Sequence, residues 1–281
     1  MAPEEDIGGQ RMNTRNVVLV AAASATLLSL APPADTQTPS AEEIIRRSHL
    51  AEYYPGDDMK ARVLMRLVSK DGKERIREMT MLRKDFQEGG EQRYFIYFHR
   101  PPDVREMTFM VWKYPQKNAD RWLFIPALKL VRRIAADDKR SSFVGSDFSY
   151  EDISGRNVAE DSHKLLREET LDGKDAYVIE SIPKDLTGSD FGRKVSWIDK
   201  RTLIPLKEEY FDKRGDLAKV FSADEVKEVQ GFWTITRRTM RDTQTGHQTE
   251  VAFQEVRYNL GLPESLFSER YLRNPPSEAV R

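Results

Sequence analysis

No cysteine occurs anywhere in the 281 residues. That excludes disulfides, thiolate nucleophiles, Cys-ligated zinc and acylation of an N-terminal cysteine. Histidine is nearly as scarce: His49, His99, His163 and His247 stand far apart and in no HExxH or His-rich arrangement, so neither a metal nor a cofactor is expected. An excess of one charge is missing too, with 45 Lys plus Arg facing 46 Asp plus Glu. Such balance leaves no basic face to displace counterions from phosphates, which excludes a general nucleic-acid binder. Neither a GxSxG elbow, nor a P-loop, nor a dinucleotide fingerprint is found. His163 follows Glu160 and Asp161, and His247 follows Gly246, so a hydrolytic dyad on plentiful Ser and Asp is the one catalytic option left. Both histidines read more simply as turn residues, and an enzyme is not expected.

Only one long apolar run is present. Arg11 and Arg15 precede the uncharged residues 17–31 (VVLVAAASATLLSLA), which end at Pro32 and Pro33. A basic start, a short apolar stretch and small residues at its exit make a secretory signal peptide over residues 1–34, with Met12 as an alternative start. The run is short for a membrane span, which needs roughly 20 residues, although an uncleaved anchor is the competing reading. Removal of this segment takes away two Arg and three acidic residues and leaves the remainder formally neutral. A single domain outside the cytoplasm, in the periplasm, is expected over residues 41–281, after a polar linker at 35–40.

Ser40 and Glu43 form a capping box, and Ile44, Ile45, His49 and Leu50 share one stripe of a helix from Ala41 to Tyr53, ended by Pro55 and Gly56. From residue 57 the apolar period changes from 3.6 to 2. Strand candidates cover residues 59–68, 76–86, 93–99, 104–114, 121–125, 128–134, 164–171, 174–182, 194–199, 203–212, 217–229, 232–242 and 247–258, most of them joined by short glycine-bearing turns such as Lys70-Asp71-Gly72-Lys73 and Asp172-Gly173. Tight turns require antiparallel neighbours. The expected fold is therefore mainly β, α+β: a large, curved, single antiparallel sheet with one face covered by a helix. A β-sandwich is the competitor. Residues 126–162 break the rhythm, and so long an excursion reads as a cover or lid.

Six of the nine methionines, Met59, Met65, Met79, Met81, Met107 and Met110, fall on strand candidates where Val or Ile has the higher β-propensity. Methionine is flexible and polarizable, so a wall of it moulds to acyl chains of varied shape; an ordinary core is the alternative. Trp112, Trp122, Phe124, Phe143, Phe148, Trp197 and Trp233 supply a second apolar set. The acids of residues 145–152 (GSDFSYED) lack calcium-loop spacing and read as turn caps and ion-pair partners.

Residues 121–128 (RWLFIPAL), Val131-Arg132-Arg133-Ile134 and residues 143–152 (FVGSDFSYED) carry a resemblance, extended by Trp197-Ile198-Asp199, Pro205-Leu206-Lys207, Gly231-Phe232-Trp233, Thr245-Gly246-His247 and Leu266-Phe267-Ser268. With them the chain resembles the bacterial outer-membrane lipoprotein-sorting-like proteins, relatives of the LolA and LolB carriers. The resemblance implies an incomplete antiparallel barrel, of about 11 strands, with helices covering its concave face, an apolar cavity that shields lipid in the periplasm, and association with a lipid-exporting transporter of the resistance-nodulation-division type. No functional residue of the proven carriers transfers, because no local motif aligns with theirs.

The expectation is thus a non-enzymatic, monomeric periplasmic carrier that binds lipid or the acyl chains of lipoproteins for transfer towards the outer membrane. Burial at about 0.8 kcal/mol per methylene gives a sixteen-carbon chain on the order of 10 kcal/mol. The expected cavity is lined by Met65, Met81, Met110, Trp112, Trp122, Phe124, Leu128, Phe143, Phe148, Trp197 and Trp233, and its lid, residues 135–154, is pinned to the sheet by Arg132 and Arg133 pairing with Asp147, Glu151 or Asp152. The alternative is an accessory module that docks on such a transporter, its interior filled by its own side chains.

Overall fold

The computed structural model describes residues 38–281, so the expected signal segment lies outside the described residues. The first element is a helix, α1 (Ala41–Tyr53). Ser40 Oγ accepts the Glu43 N–H at 3.2 Å, as the capping box predicts, but the Glu43 carboxylate turns to the Arg46 guanidinium instead of back to Ser40. Gly56 then turns the chain towards the sheet at φ +68, where a Cβ would stand 2.9 Å from Asn259 Oδ1.

Thirteen strands follow: β1 (Asp58–Val68), β2 (Glu74–Asp85), β3 (Gln92–Arg100), β4 (Thr108–Lys113), β5 (Asp120–Ile125), β6 (Leu130–Ile134), β7 (Asp161–Leu171), β8 (Lys174–Pro183), β9 (Arg193–Asp199), β10 (Pro205–Phe211), β11 (Leu217–Val229), β12 (Phe232–Asp242) and β13 (Gln248–Tyr258). All belong to one curved antiparallel sheet, so the sandwich is excluded. The strand count exceeds the expected 11 and equals the thirteen strand candidates, and even the five-residue β6 finds a full ladder on β5. The sheet is open and not a closed barrel: its order runs β6-β5-β4-β3-β2-β1-β13-β12-β11-β10-β9-β8-β7, which leaves β6 and β7 as edges.

That order explains the long excursion. Consecutive strands β6 and β7 lie at opposite edges, so residues 135–160 must pass from one edge to the other. Lys139 and Glu160 meet at 3.2 Å, and Arg140 donates to the carbonyls of Thr187 and Ser189, so the sheet has curled far enough for the crossover to bridge it with a narrow neck. The chain between the two ends of the neck is a compact, largely irregular plug.

Period-2 alternation separates two faces. Tyr94, Ile96, Phe98, Phe109 and Val111 join Met65, Phe221, Met240 and Val251 in one inner core, into which the plug inserts Phe143, Phe148, Tyr150 and Ile153. Their neighbours Phe95, Tyr97, Met110 and Trp122 face outward, where the C-terminal chain covers them with Leu262, Leu266, Phe267, Leu272 and Ala279. Of the α-helices among the described residues, then, only α1 lies on the inner face, where Ile44 and Ile45 pack on Ile179 and Ile198. The four-residue helices α2 (Arg270–Arg273) and α3 (Ser277–Val280) belong to the outer cover. No helix among the described residues is long and apolar enough to cross a membrane.

Candidate ligand-binding interior

Two small cavities lie within the curl of the sheet, and Glu52 and Tyr53 of α1 line both. One, of about 70 Å³, has apolar walls that include Met59, Met81, Ile153, Trp233 and Phe253, with Arg83 and Arg238 among them. The other, of about 100 Å³, is polar and is lined by His49, Asp152, Lys194, Glu208 and Tyr210 among others. Ligand pockets ordinarily measure about 300–1,000 Å³. Both cavities are smaller than that, because the plug's own side chains Phe143, Phe148, Tyr150 and Ile153 pack into the inner core.

The sequence-based cavity set divides between the faces. Met65, Met81, Phe143 and Phe148 are in the inner core and Trp233 packs against it. Met110, Trp112, Trp122 and Phe124 are on the outer face, where Trp112 Nε1 donates to the Phe267 carbonyl at 2.8 Å. The reason is register: one step along a strand reverses the face, so Met110 and Trp122 point away from Phe109 and Leu123. Trp197 is likewise outside, with Ala176, Val178 and Val195, and Leu128 sits at a hairpin tip, 66% exposed.

The expected lid pins are also re-paired. Arg132 reaches Asp138 at 3.3 Å, and Arg133 bonds Asp120 within the β5–β6 hairpin. Both arginines sit on an edge strand and point to solvent, whereas the acids of the plug turn inward. Glu151 is 2.7 Å from Lys139 and 3.3 Å from Arg156, and Arg156 also meets Glu160 at 3.0 Å and Asp161 at 2.9 Å. These two cations and three acids tie the neck. Deeper in, Asp147 fastens to His247 and Thr249, and Asp152 accepts from the Ser149 N–H at 2.7 Å.

The helix α1 is fastened mainly at its C-terminal end. Arg83 donates to the carbonyls of Tyr53 at 2.9 Å, Pro55 at 2.5 Å and Gly56 at 2.8 Å, and Gln92 Nε2 adds a bond to Tyr53. The inward groups of α1 are electrostatically perturbed. Burial, reinforced by the Glu208 charge, raises the Glu52 carboxyl to about 7. Burial also lowers His49 well below its ordinary value, with the charges of Lys113 and Lys194 adding to it. Lys113, 3.1 Å from His49 Nε2 and 2.6 Å from the Ser154 carbonyl, is lowered to about 7 by burial and then by Arg121. Burial works to raise Glu208, but Lys194 at 2.8 Å outweighs it, so this carboxyl is lowered.

His163 Nδ1 stands 2.8 Å from Ser181 Oγ, the dyad geometry a hydrolase needs. The two are directly opposed across β7 and β8, however, and the other ring nitrogen is held by the Val158 carbonyl at 2.9 Å while Asp161 is engaged by Arg156. Ser181 is 1% exposed, and with His163 and Asp161 it lines the polar cavity. No His/Cys/Asp/Glu group suited to a metal occurs among the described residues.

No curated protein matches the sequence. A family model described only as an uncharacterized protein matches residues 90–274. Among solved structures, a DUF1329 family protein from Desulfovibrio piger superposes with a TM-score of 0.77 at 30% identity, over 83% of this chain and 97% of its own. A domain from Vibrio parahaemolyticus, provisionally described as outer membrane lipoprotein-sorting, matches with the same score and identity over 83% of this chain and 98% of its own. A LolA superfamily protein from Nitrosomonas europaea shares the fold, with a TM-score of 0.65 at 21% identity over 83% of this chain and all of the other. The chain belongs to the DUF1329 family, with the fold of the LolA superfamily.

Proposed function

We propose that this protein is a periplasmic carrier that takes up lipid, or the acyl chains of lipoproteins, by exchanging its plug for the chain. The observation that carries the reading is what fills the inner face. A conventional core would seal the sheet with a second sheet or several helices, whereas here one helix and an irregular crossover cover a wall that includes Met59, Met65, Met79, Met81, Met107 and Met240. Four large side chains, Phe143, Phe148, Tyr150 and Ile153, occupy the space an acyl chain would need. Their withdrawal exposes apolar surface to the ligand instead of to water, so the exchange costs little net burial. The tip of the plug adds strain, because Val144, a β-branched residue, adopts φ +50 beside Gly145 at φ +79. A signal peptide in residues 1–34 delivers such a carrier to the periplasm, and likeness to a domain described as lipoprotein-sorting supports the same reading.

The test is native mass spectrometry with lipid extraction on protein purified from its own periplasm without detergent. Stoichiometric lipid supports the carrier and names its cargo, and N-terminal sequencing of the same sample locates the signal cleavage. The filled interior favours a second reading, an accessory module of a transporter with no cargo of its own. An empty protein that also refuses a fluorescent fatty-acid probe would establish that second reading's premise and refute the carrier.

A further inference from the structure

Arg238 is one of two buried arginines on the inner face whose guanidinium forms no hydrogen bond among the described residues; the other is Arg77, opposite Met65, with Nε and Nη1 unpartnered. The β11–β12 ladder shifts register between the pairs Ala223↔Arg238 and Val226↔Ile235, and this change of phase turns Arg238 inward together with Met240, Ile235 and Trp233. Arg238 is 9% exposed. Its guanidinium lies 5.0 Å from the ring of Phe148 on the plug and 5.1 Å from that of Phe253 on β13. Buried arginines ordinarily use their five donors on carboxylates or carbonyls. Arg83, in the wall of the same apolar cavity, does so on three carbonyls. The Arg238 guanidinium forms no hydrogen bond among the described residues, its Nε, like that of Arg83, is buried without a partner, and the nearest carboxylate oxygen, Glu52 Oε1, stands at 3.8 Å.

A buried, sandwiched guanidinium with unused donors in an apolar cavity is suited to one chemistry: an acidic oxyanion head joined to a hydrocarbon chain. The cavity's 70 Å³ suits the head, and Ile153 of the plug stands in its wall. We propose that Arg238 is the head-group receptor of the carrier, reading a carboxylate or phosphate on a long acyl chain, with Glu52 on α1 as the internal group that the head replaces. This rests on the carrier reading and gives it a substrate class, acidic lipids over neutral ones. The replacement is inexpensive on two counts. Glu52 is held to Arg238 only at 3.8 Å, and its carboxyl is raised to about 7, so it yields its charge readily when a stronger anion arrives.

The experiment displaces a neutral fluorescent probe, N-phenyl-1-naphthylamine, from the full chain with palmitic acid, methyl palmitate or dipalmitoylphosphatidic acid. The expected result is that an acidic lipid displaces the probe at least about tenfold more strongly than the ester, the order expected of a charge-assisted hydrogen bond. Arg238→Met should abolish that preference, so that palmitic acid and methyl palmitate displace the probe alike, and Arg238→Lys should keep part of it. Preference for phosphatidic acid over palmitate identifies a phosphate head, and the reverse identifies a carboxylate. Equal displacement by acid and ester on the unmodified chain overturns the proposal even if no variant folds, as does a preference that survives in Arg238→Met. If neither lipid displaces the probe, the carrier reading fails first and the receptor falls with it.

Discussion

Asp147, near the tip of the plug, places its Oδ2 2.7 Å from His247 Nδ1 and accepts the Thr249 hydroxyl at the same distance, so residues about a hundred positions apart fasten the plug to β13. The Asp147 carbonyl also accepts from Lys219 at 3.1 Å. Asp147→Ala removes the carboxylate bonds and leaves the carbonyl bond. We expect a loss of roughly 1–3 kcal/mol in urea denaturation. If the plug is the moving part, hydrogen exchange at residues 141–153 accelerates and probe uptake becomes faster. Lower stability with unaltered uptake would make the tether purely structural.

The assignment of faces predicts different phenotypes for two aromatic residues of the same sequence-derived set. Trp122 is packed under the C-terminal chain, edge-on to Trp112 at 5.1 Å between centroids, whereas Phe148 is 2% exposed in the inner core. Both substitutions to Ala should cost about 3–5 kcal/mol. Only Phe148→Ala should change lipid-probe affinity. An equal change in Trp122→Ala would contradict the separation of the two faces.

Most of the fold was legible because it rests on local pattern. Alternation, glycine turns and the Ser40 cap locate α1 and every strand to within a few residues, and tight turns force the antiparallel arrangement. Residues 104–106 are the exception: the Val104 N–H closes a turn on the Pro101 carbonyl at 3.1 Å, the Glu106 N–H donates across to the Phe98 carbonyl of β3 at 2.8 Å, and β4 starts only at Thr108. The site was less legible, since it depends on which face each strand presents. Alternation gives the two faces of Phe109 and Met110 but not which is inner; the chain at 262–279 decides that by covering the outer one. Arg238 escaped notice for a related reason: a register shift between β11 and β12 sets its phase, and no local motif encodes that. The neck was missed because Lys139 and Glu160, which stand at its two ends, meet only after the sheet has curled.

Lys113 predicts a pH dependence of stability. Its ammonium is lowered from 10.5 to about 7 by burial and then by Arg121, so between those values the unfolded chain holds more protons than the folded one. Stability therefore rises with pH across this window. Glu52 acts with the opposite sign lower down: raised from 4.5 to about 7, it makes stability fall as pH rises from 4.5 to 7. Urea denaturation between pH 7 and 9.5 isolates the lysine. The native protein should gain stability over that range and Lys113→Met should gain distinctly less. Parallel curves would show that the lysine keeps its proton in the folded state.

The absence of cysteine makes the motion itself testable, because two introduced thiols would be the only ones in the chain. The Asp147 N–H donates to Thr249 Oγ1 at 3.0 Å, so the two backbones are close enough for a bridge between Asp147→Cys and Thr249→Cys to be sterically reasonable. Oxidised, this pair locks the plug tip to β13; reduced, it resembles a plug that has merely lost its carboxylate tether. We expect the oxidised form to refuse lipid and the reduced form to accept it, with both equally folded by circular dichroism. The comparison within one variant separates motion from chemistry, since the same two side chains are altered in both states. An oxidised form that still takes up lipid would place the entry elsewhere, and the remaining candidate is α1, which Arg83 secures only at its C-terminal end.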